Sequence, residues 1–130
     1  MDLETDPPPL SQAQLEILEV IWERGEATLG EVWKALSRRR TVARNTIQTL
    51  LTRLVEKGWL HARMEGKTFH YSAVHPREPT LRGLARRLVD TVFQGSTEGM
   101  IMALLDDQEI SAEEAGRIRA IIERAERRQS

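Results

Sequence analysis

The sequence contains no cysteine, which excludes disulfides, thiolate metal sites and a cysteine nucleophile at once. It has no apolar run approaching the ~18 residues of a membrane span, and its acidic, Pro-rich start is no signal peptide. A cytoplasmic protein without membrane insertion is expected. Gly-rich phosphate loops and catalytic motifs are missing too. The three histidines, His61, His70 and His75, are spaced nine and five apart, which makes no helical metal pair. Asp106-Asp107 and Glu113-Glu114 fall at helix ends, where acids answer the helix dipole rather than acid–base chemistry. No enzyme, no cofactor and no metal are therefore expected. Aromatics are scarce, and Trp22, Trp33 and Trp59 all lie on apolar faces. All three are assigned to packing and not to base stacking, with part-exposure left open for Trp59, which opens a strand.

A net charge of −1 over 130 residues says little, but its distribution says more. Residues 1–37 hold two basic and eight acidic side chains, a net of −6. Residues 38–75 hold eight basic and two acidic, a net of +6, and residues 76–130 hold nine and ten, a net of −1. At the centre of the basic block stands the stretch Thr41 to Gly58. Its Ile47, Leu50, Leu51, Leu54 and Val55 fall at i, i+3, i+4, i+7 and i+8, the stripe of a helix packed on a core. Asn45, Gln48, Thr49, Thr52 and Glu56 point the opposite way, with Arg53 and Thr46 on one flank. A solvated helix face more often carries paired Glu and Lys. Amides suit the adenine edge, a guanidinium suits guanine, and Thr suits a base or the thymine methyl. The stretch reads as a recognition helix, with Gly58 closing it in a left-handed turn.

The rest of residues 10–75 fits around it. Residues 1–9 read as a disordered arm. Ser11 and Gln14 form a capping box, with Leu10 stapled on Leu15. The first helix runs to about Arg24, burying Leu15, Leu18, Ile21 and Trp22. Thr28 and Glu31 form a second box, leading into Val32, Trp33 and Leu36. A short polar turn, Arg39 to Val42, then delivers the chain into the organising helix, a helix-turn-helix arrangement. Past Gly58 the period changes to two. Residues 59–63 and 68–73 read as strands joined by Met64-Glu65-Gly66-Lys67, with Phe69, Tyr71 and Ala73 facing the helices. Arg63, Lys67 and His70 stay near the tip or outer face, making the hairpin a basic wing. Arg63, Lys67 and the run Arg38-Arg39-Arg40 are expected to include phosphate contacts, and Arg44, at the helix start, is expected to hold a phosphate.

From residue 76 the character changes. The prolines at 76 and 79 are expected to keep helix out of residues 75–79. Leu81, Leu84, Ala85, Leu88, Val89, Val92 and Phe93 form a stripe ending at Gly95. Residues 97–105 form a short helix that Met100, Ile101, Met102, Leu104 and Leu105 make apolar on both sides. Ser111 opens a third helix carrying Ile118, Ile121 and Ile122. Three such helices in ~50 residues lie near the lower size limit for a stable unit. The expectation is a homodimer in which each chain completes the other's core. The fold class is thus mainly α with a small β-hairpin wing: an N-terminal winged helix-turn-helix at 10–75 and a three-helix dimerisation segment at 76–130.

Asn45-Thr46-Ile47-Gln48-Thr49-Leu50-Leu51-Thr52-Arg53-Leu54, then Glu56-Lys57-Gly58-Trp59-Leu60, then Gly66-Lys67-Thr68-Phe69-His70-Tyr71 and three helices together resemble the penicillinase-repressor (BlaI/MecI) family of bacterial transcriptional regulators. The resemblance covers about residues 10–125. It implies a homodimer that binds a dyad-symmetric double-stranded DNA operator through the winged helix and represses downstream genes. It also implies a membrane sensor-protease system that relieves repression by cutting the dimerisation region. The family's Asn-Phe cleavage bond is replaced here by Ala103-Leu104, so the motif is absent and no tie to β-lactam resistance is implied. The cysteine pair of a copper-responsive branch is absent as well. Two other classes stay open: a winged-helix protein–protein module, which would need apolar anchors on the outer face of the organising helix, and a repressor released by a small ligand.

Overall fold

The computed structural model describes residues 9–129; apart from Pro9, the arm at 1–9 lies outside the described residues. The chain divides into two compact units, Met1–Arg82 and Gly83–Ser130. The first begins with α1 (Gln12–Arg24). The Ser11 hydroxyl accepts the Gln14 N–H at 3.1 Å, and the Gln14 side-chain oxygen accepts the Ser11 N–H at 2.9 Å. α2 (Leu29–Ser37) starts with the same reciprocal pair, Thr28 and Glu31. The Thr28 N–H holds the Glu31 carboxyl below its ordinary pKa against the opposing effect of desolvation, with smaller help from Arg24 at 2.7 Å. α3 (Arg44–Glu56) follows, and Gly58, at φ +86°, turns the chain out of it.

The hairpin pairs β1 (Leu60–Glu65) with β2 (Thr68–Ala73), antiparallel, in the register Leu60↔Ala73 to Glu65↔Thr68. The strands run further than the sequence pattern suggests, because Met64 and Glu65 pair with Phe69 and Thr68. Only Gly66 and Lys67 remain in the turn. Gly66 has φ +64° and Lys67 does not have positive φ, which matches a II′ connection with glycine first. A bridge missed by pattern reasoning joins Ala27 to Tyr71, with N–H···O distances of 3.0 and 2.8 Å in the two directions. It ties the loop after α1 to the root of the wing.

Ile17, Leu18 and Ile21 of α1 meet Val32 and Leu36 of α2, Ile47, Leu51 and Leu54 of α3, and Ala27, Trp59, Leu60 and Tyr71 in one buried cluster. The buried stripe of α1 is Gln14, Ile17, Leu18 and Ile21, so the expected burial of Leu15 and Trp22 is corrected: both are only half-buried. The stripe was misplaced because Gln14, a polar residue, occupies a core-facing position with its side chain spent on the cap. Leu50, Val55 and Trp33 are likewise half-buried and pack at the margin of the cluster. Trp22 and Trp33 each donate their indole N–H to a backbone carbonyl, of His75 and Val42, both at 2.9 Å. Trp59, assigned to packing, is buried and meets His75 edge-on at 5.5 Å. Phe69, expected to face the helices, is exposed because its pair lies beyond the end of the packed sheet.

α4 (Arg77–Val92) overturns the helix-free linker at 75–79. Pro79 sits at its third position, where a backbone N–H has no intrahelical partner to lose, so the ring is tolerated. The division between the units falls inside α4. The second unit continues with α5 (Thr97–Leu105), capped by the Ser96 hydroxyl on the Gly99 N–H at 2.8 Å, and α6 (Ala112–Gln129), whose Glu114 N–H meets the Ser111 hydroxyl at 3.0 Å. Neither α5 nor α6 has a buried residue. Met102 is 63% exposed, Leu104 60% and Ile121 52%. Leu88, Val92, Leu105 and Ile122 are exposed as well, while Leu84, Met100, Ile101 and Ile118 are half-buried, as is Leu81 in the first unit. In a single chain the apolar stripes of the second unit, Val89 apart, are left half-buried or exposed.

These two levels of packing predict different mutational costs. Leu51→Ala, at a fully buried position, is expected to cost ~2–5 kcal/mol, read as the shift in a urea midpoint at constant slope. Leu50→Ala, one residue away at the margin, should cost clearly less. Equal costs would contradict the packing assigned to α3.

Candidate nucleic-acid interface

With Ile47, Leu51 and Leu54 turned inward, α3 leaves Asn45, Thr46, Gln48, Thr49, Thr52 and Arg53 exposed, with Glu56 as the one acid among them. Its N-terminus differs from those of α1 and α2. The N-cap is Ala43, which has no side-chain oxygen to offer, and no side chain caps the helix. The first amides of α3 and the positive end of its dipole are thus left for an anion such as a phosphate. Arg44 stands at this end with its guanidinium 5.8 Å above the Trp33 ring, and Trp33 is fixed in turn by its bond to the Val42 carbonyl. A cation–π contact of this kind orients the arginine without neutralising it.

The hydroxyls on the outer face are partly committed. Thr49 donates to the Asn45 carbonyl at 3.1 Å and Thr52 to the Gln48 carbonyl at 3.0 Å. Each threonine then offers a ligand its oxygen lone pairs and its methyl, not its proton. The Gln48 amide reaches Thr52 Oγ1 at 3.5 Å. Burial pushes the Tyr71 pKa up, with a smaller opposing effect of the nearby Gln48 side chain. The Asn45 and Arg53 side chains have no partner among the described residues.

The basic side chains expected to contact phosphate differ in their partners. Arg40 lies 2.7 Å from Glu16 of α1 and Arg39 lies 4.0 Å from it, while Arg38 has no partner among the described residues. The Glu16 side chain is mostly buried, so the turn before α3 is pinned to α1. Arg63 is bonded to Glu26 at 2.8 Å and Glu65 at 3.1 Å, contacts that raise its pKa, Glu26 foremost. His70 approaches the same two carboxylates at 3.7 and 3.6 Å. Lys67, at the hairpin turn, has no ion-pair partner among the described residues. Its cation is free, whereas those of Arg40 and Arg63 are already balanced. No residue pattern in the sequence announces the Glu16–Arg40 and Glu26–Arg63 pairs, which span 24 and 37 positions.

Among the described residues no group of His, Asp or Glu is arranged to hold a metal ion, and no helix is long and apolar enough to cross a membrane. His75 packs on Trp59.

Comparison with known proteins bears on this surface. The family model described as penicillinase repressor matches residues 10–124. The penicillinase repressor of Bacillus licheniformis is 31% identical over 116 residues, 89% of this chain and 91% of that protein. The transcriptional regulator BlaI of Mycobacterium tuberculosis is 30% identical over 113 residues, 85% of this chain and 80% of its own. The solution structure of the DNA-binding domain of the repressor BlaI matches with a TM-score of 0.51 and 39% sequence identity, covering 55% of this chain and 88% of that one. The match spans both units of the fold and leaves only short ends outside it, so the chain belongs to the penicillinase repressor (BlaI/MecI) family of transcriptional regulators.

Proposed function

We propose that this protein represses transcription as a cytoplasmic homodimer, reading a dyad-symmetric operator with one α3 per half-site. That it is a DNA-binding transcriptional repressor and not an enzyme follows from its family. The observation that carries the finer reading is the outer face of α3. It is exposed, rich in hydrogen-bonding groups and without an apolar anchor, at the centre of the basic block. A protein-docking face would show the opposite composition. On this reading Gln48 or Arg53 reads a base edge, Asn45, Thr46, Thr49 and Thr52 complete the major-groove surface, and Arg44 and Lys67 hold phosphates. The domain plan is a winged helix at 10–75 and a dimerisation segment at 76–130.

The dimer is supported by the bare stripes of α4, α5 and α6, including Leu88, Leu104, Leu105, Ile121 and Ile122. One winged helix would grip a half-site modestly, and a second one joined to it binds as if at raised local concentration, worth ~10²–10⁴ in affinity without new contacts. Breaking the segment, by a sensor-protease system or otherwise, would empty the operator while every base-reading residue stays intact. Ala103-Leu104 lies in α5, and the family's Asn-Phe pair is absent from it.

Sequencing the duplexes that the protein selects from a random pool tests the central claim; a dyad-symmetric consensus is expected, and the absence of any consensus would overturn it. On the selected duplex, Gln48→Ala should cost ~1–3 kcal/mol and relax one position per half-site. Uniform weakening over all sequences would make Gln48 a backbone contact.

Salt titrations separate the cations. Lys67→Ala should lower the slope of log K against log salt by about one unit. Arg40→Ala should lower the slope less and depress the melting temperature, because Glu16 then keeps a mostly buried, unbalanced charge. The reverse ranking would exchange their roles.

Leu104→Glu in α5 places an unpaired carboxylate in the proposed interface. Sedimentation should show a folded monomer, and operator binding should fall to half-site strength. A variant that stays dimeric with full affinity would remove α5 from the interface.

A further inference from the structure

The hairpin has two unlike faces. His61, Arg63, Glu65, Thr68, His70 and Ser72 share one of them, the face of the Glu26–Arg63–Glu65 pairs. Alternation puts Leu60, Ala62 and Met64 with Phe69, Tyr71 and Ala73 on the other. At the root that second face is closed, with Leu60 2% and Tyr71 4% exposed. At the tip it is open. Met64 and Phe69 are paired directly across the strands, yet they are 53% and 44% exposed. Two large apolar side chains placed side by side in solvent, beside the free cation of Lys67, do nothing for the core cluster, which includes neither. A tip built only for phosphate contact would need neither of them.

Their position supplies the occupant. Phe69 lies 6.2 Å from the Tyr71 ring, ring centre to ring centre, and Tyr71 is close enough to Gln48, on the outer face of α3, for that side chain to act on its pKa. The bare pair is therefore continuous with the proposed base-reading surface. Met64 stands four residues beyond the buried Leu60, about 13 Å along the strand at the usual rise per residue. The major groove that admits a helix is ~12 Å wide. A hairpin projecting that far beside a helix seated in the groove passes its phosphate wall and meets the neighbouring minor groove. The walls of that groove are deoxyribose C–H surface, which apolar side chains contact or wedge apart. Lys67, next to the pair at the turn, matches the phosphates along the rim.

We propose that Met64 and Phe69 form an apolar contact with the minor groove flanking each half-site, so that the wing recognises the width and deformability of the flank while α3 reads bases. This rests on the reading of α3 as the base-reading helix. Specificity from such a contact appears at positions where no base edge is hydrogen-bonded.

The test uses the full-length protein and the duplex it selects from a random pool, comparing wild type with Phe69→Ala, Met64→Gln and Gln48→Ala. Hydroxyl radicals attack deoxyribose in the minor groove, so their footprint reports the flank directly. Phe69→Ala is expected to weaken binding about tenfold through lost apolar burial, to remove protection of the flank and to leave the salt slope unchanged. Met64→Gln should lose the same protected band. Melting temperature should hold in both variants, since neither side chain belongs to the core. Wild-type affinity and footprint in both, with Gln48→Ala impaired, would overturn the wedge and leave the α3 reading standing. Wild-type affinity in all three would overturn both. A dimer that dissociates on Phe69→Ala in the absence of DNA would overturn the wedge in favour of contact with a second copy.

Discussion

The seam between α3 and α1 is the constraint on which the first unit depends. Ile47, Leu51 and Leu54 cannot be buried against Ile17, Leu18 and Ile21 without fixing the rotation of α3 about its own axis. Once that rotation is fixed, Asn45, Gln48, Thr49, Thr52 and Arg53 must face away from the core. Interiors are close-packed, so the seam tolerates little rotation, and a rotation of one residue position, ~100°, would swing the hydrogen-bonding groups out of register. The neighbouring devices serve the same end. Two complete capping boxes fix where α1 and α2 begin, Glu16 holds the turn before α3, and the Ala27–Tyr71 bridge holds the wing root. Stability and the readout proposed for α3 are two faces of one helix.

Electrostatics here is a matter of which cations remain unbalanced. The basic block is real, but its arginines are not equivalent. Arg40 and Arg63 are matched by carboxylates from residues 1–37 and from the wing itself, and Arg44 rests on an indole ring. The exposed Arg63 pairs add little stability individually, the Arg40 pair with the mostly buried Glu16 adds more, and all are positional in effect. They hold the backbone of the turn and the wing while leaving Lys67, Arg38 and Arg53 without partners among the described residues. A protein whose net charge is −1 attracts DNA only through such local imbalance, because potentials decay within ~10 Å at moderate salt.

Much of the fold was legible because local signals agreed with one another. Ser11–Gln14 and Thr28–Glu31 gave the helix starts, Gly25 and Gly58 the ends, and the change of period after Gly58 gave the hairpin. What failed did so where a residue's local chemistry disagreed with its tertiary position. Gln14 is polar but buried because the cap consumes it, and this shifted the perceived stripe of α1. Pro79 reads as a breaker, yet the first turn of a helix has no bond for it to break. Phe69 obeys the alternation that should bury it, but the body of the domain ends before it does. At the candidate site the residue types on α3 were legible from periodicity alone. The carboxylate partners Glu16 of Arg40 and Glu26 of Arg63 were not, since each of these pairs joins elements far apart in sequence.

The two units differ in how they obtain their stability, and that difference bears on regulation. The first has a closed cluster of its own and needs nothing further to be folded. The second has Val89 as its only buried hydrophobic side chain among the described residues, so its helices have little to hold them as a single chain. On the dimer proposal its folding is inseparable from association, and its stability rises with protomer concentration or with any ligand that holds two copies together. An operator with two half-sites is such a ligand. DNA binding and assembly then reinforce each other reciprocally, as linkage requires. A weakly self-sufficient assembly segment therefore suits a repressor: damage confined to it lowers occupancy steeply, while a robust reading domain is spared.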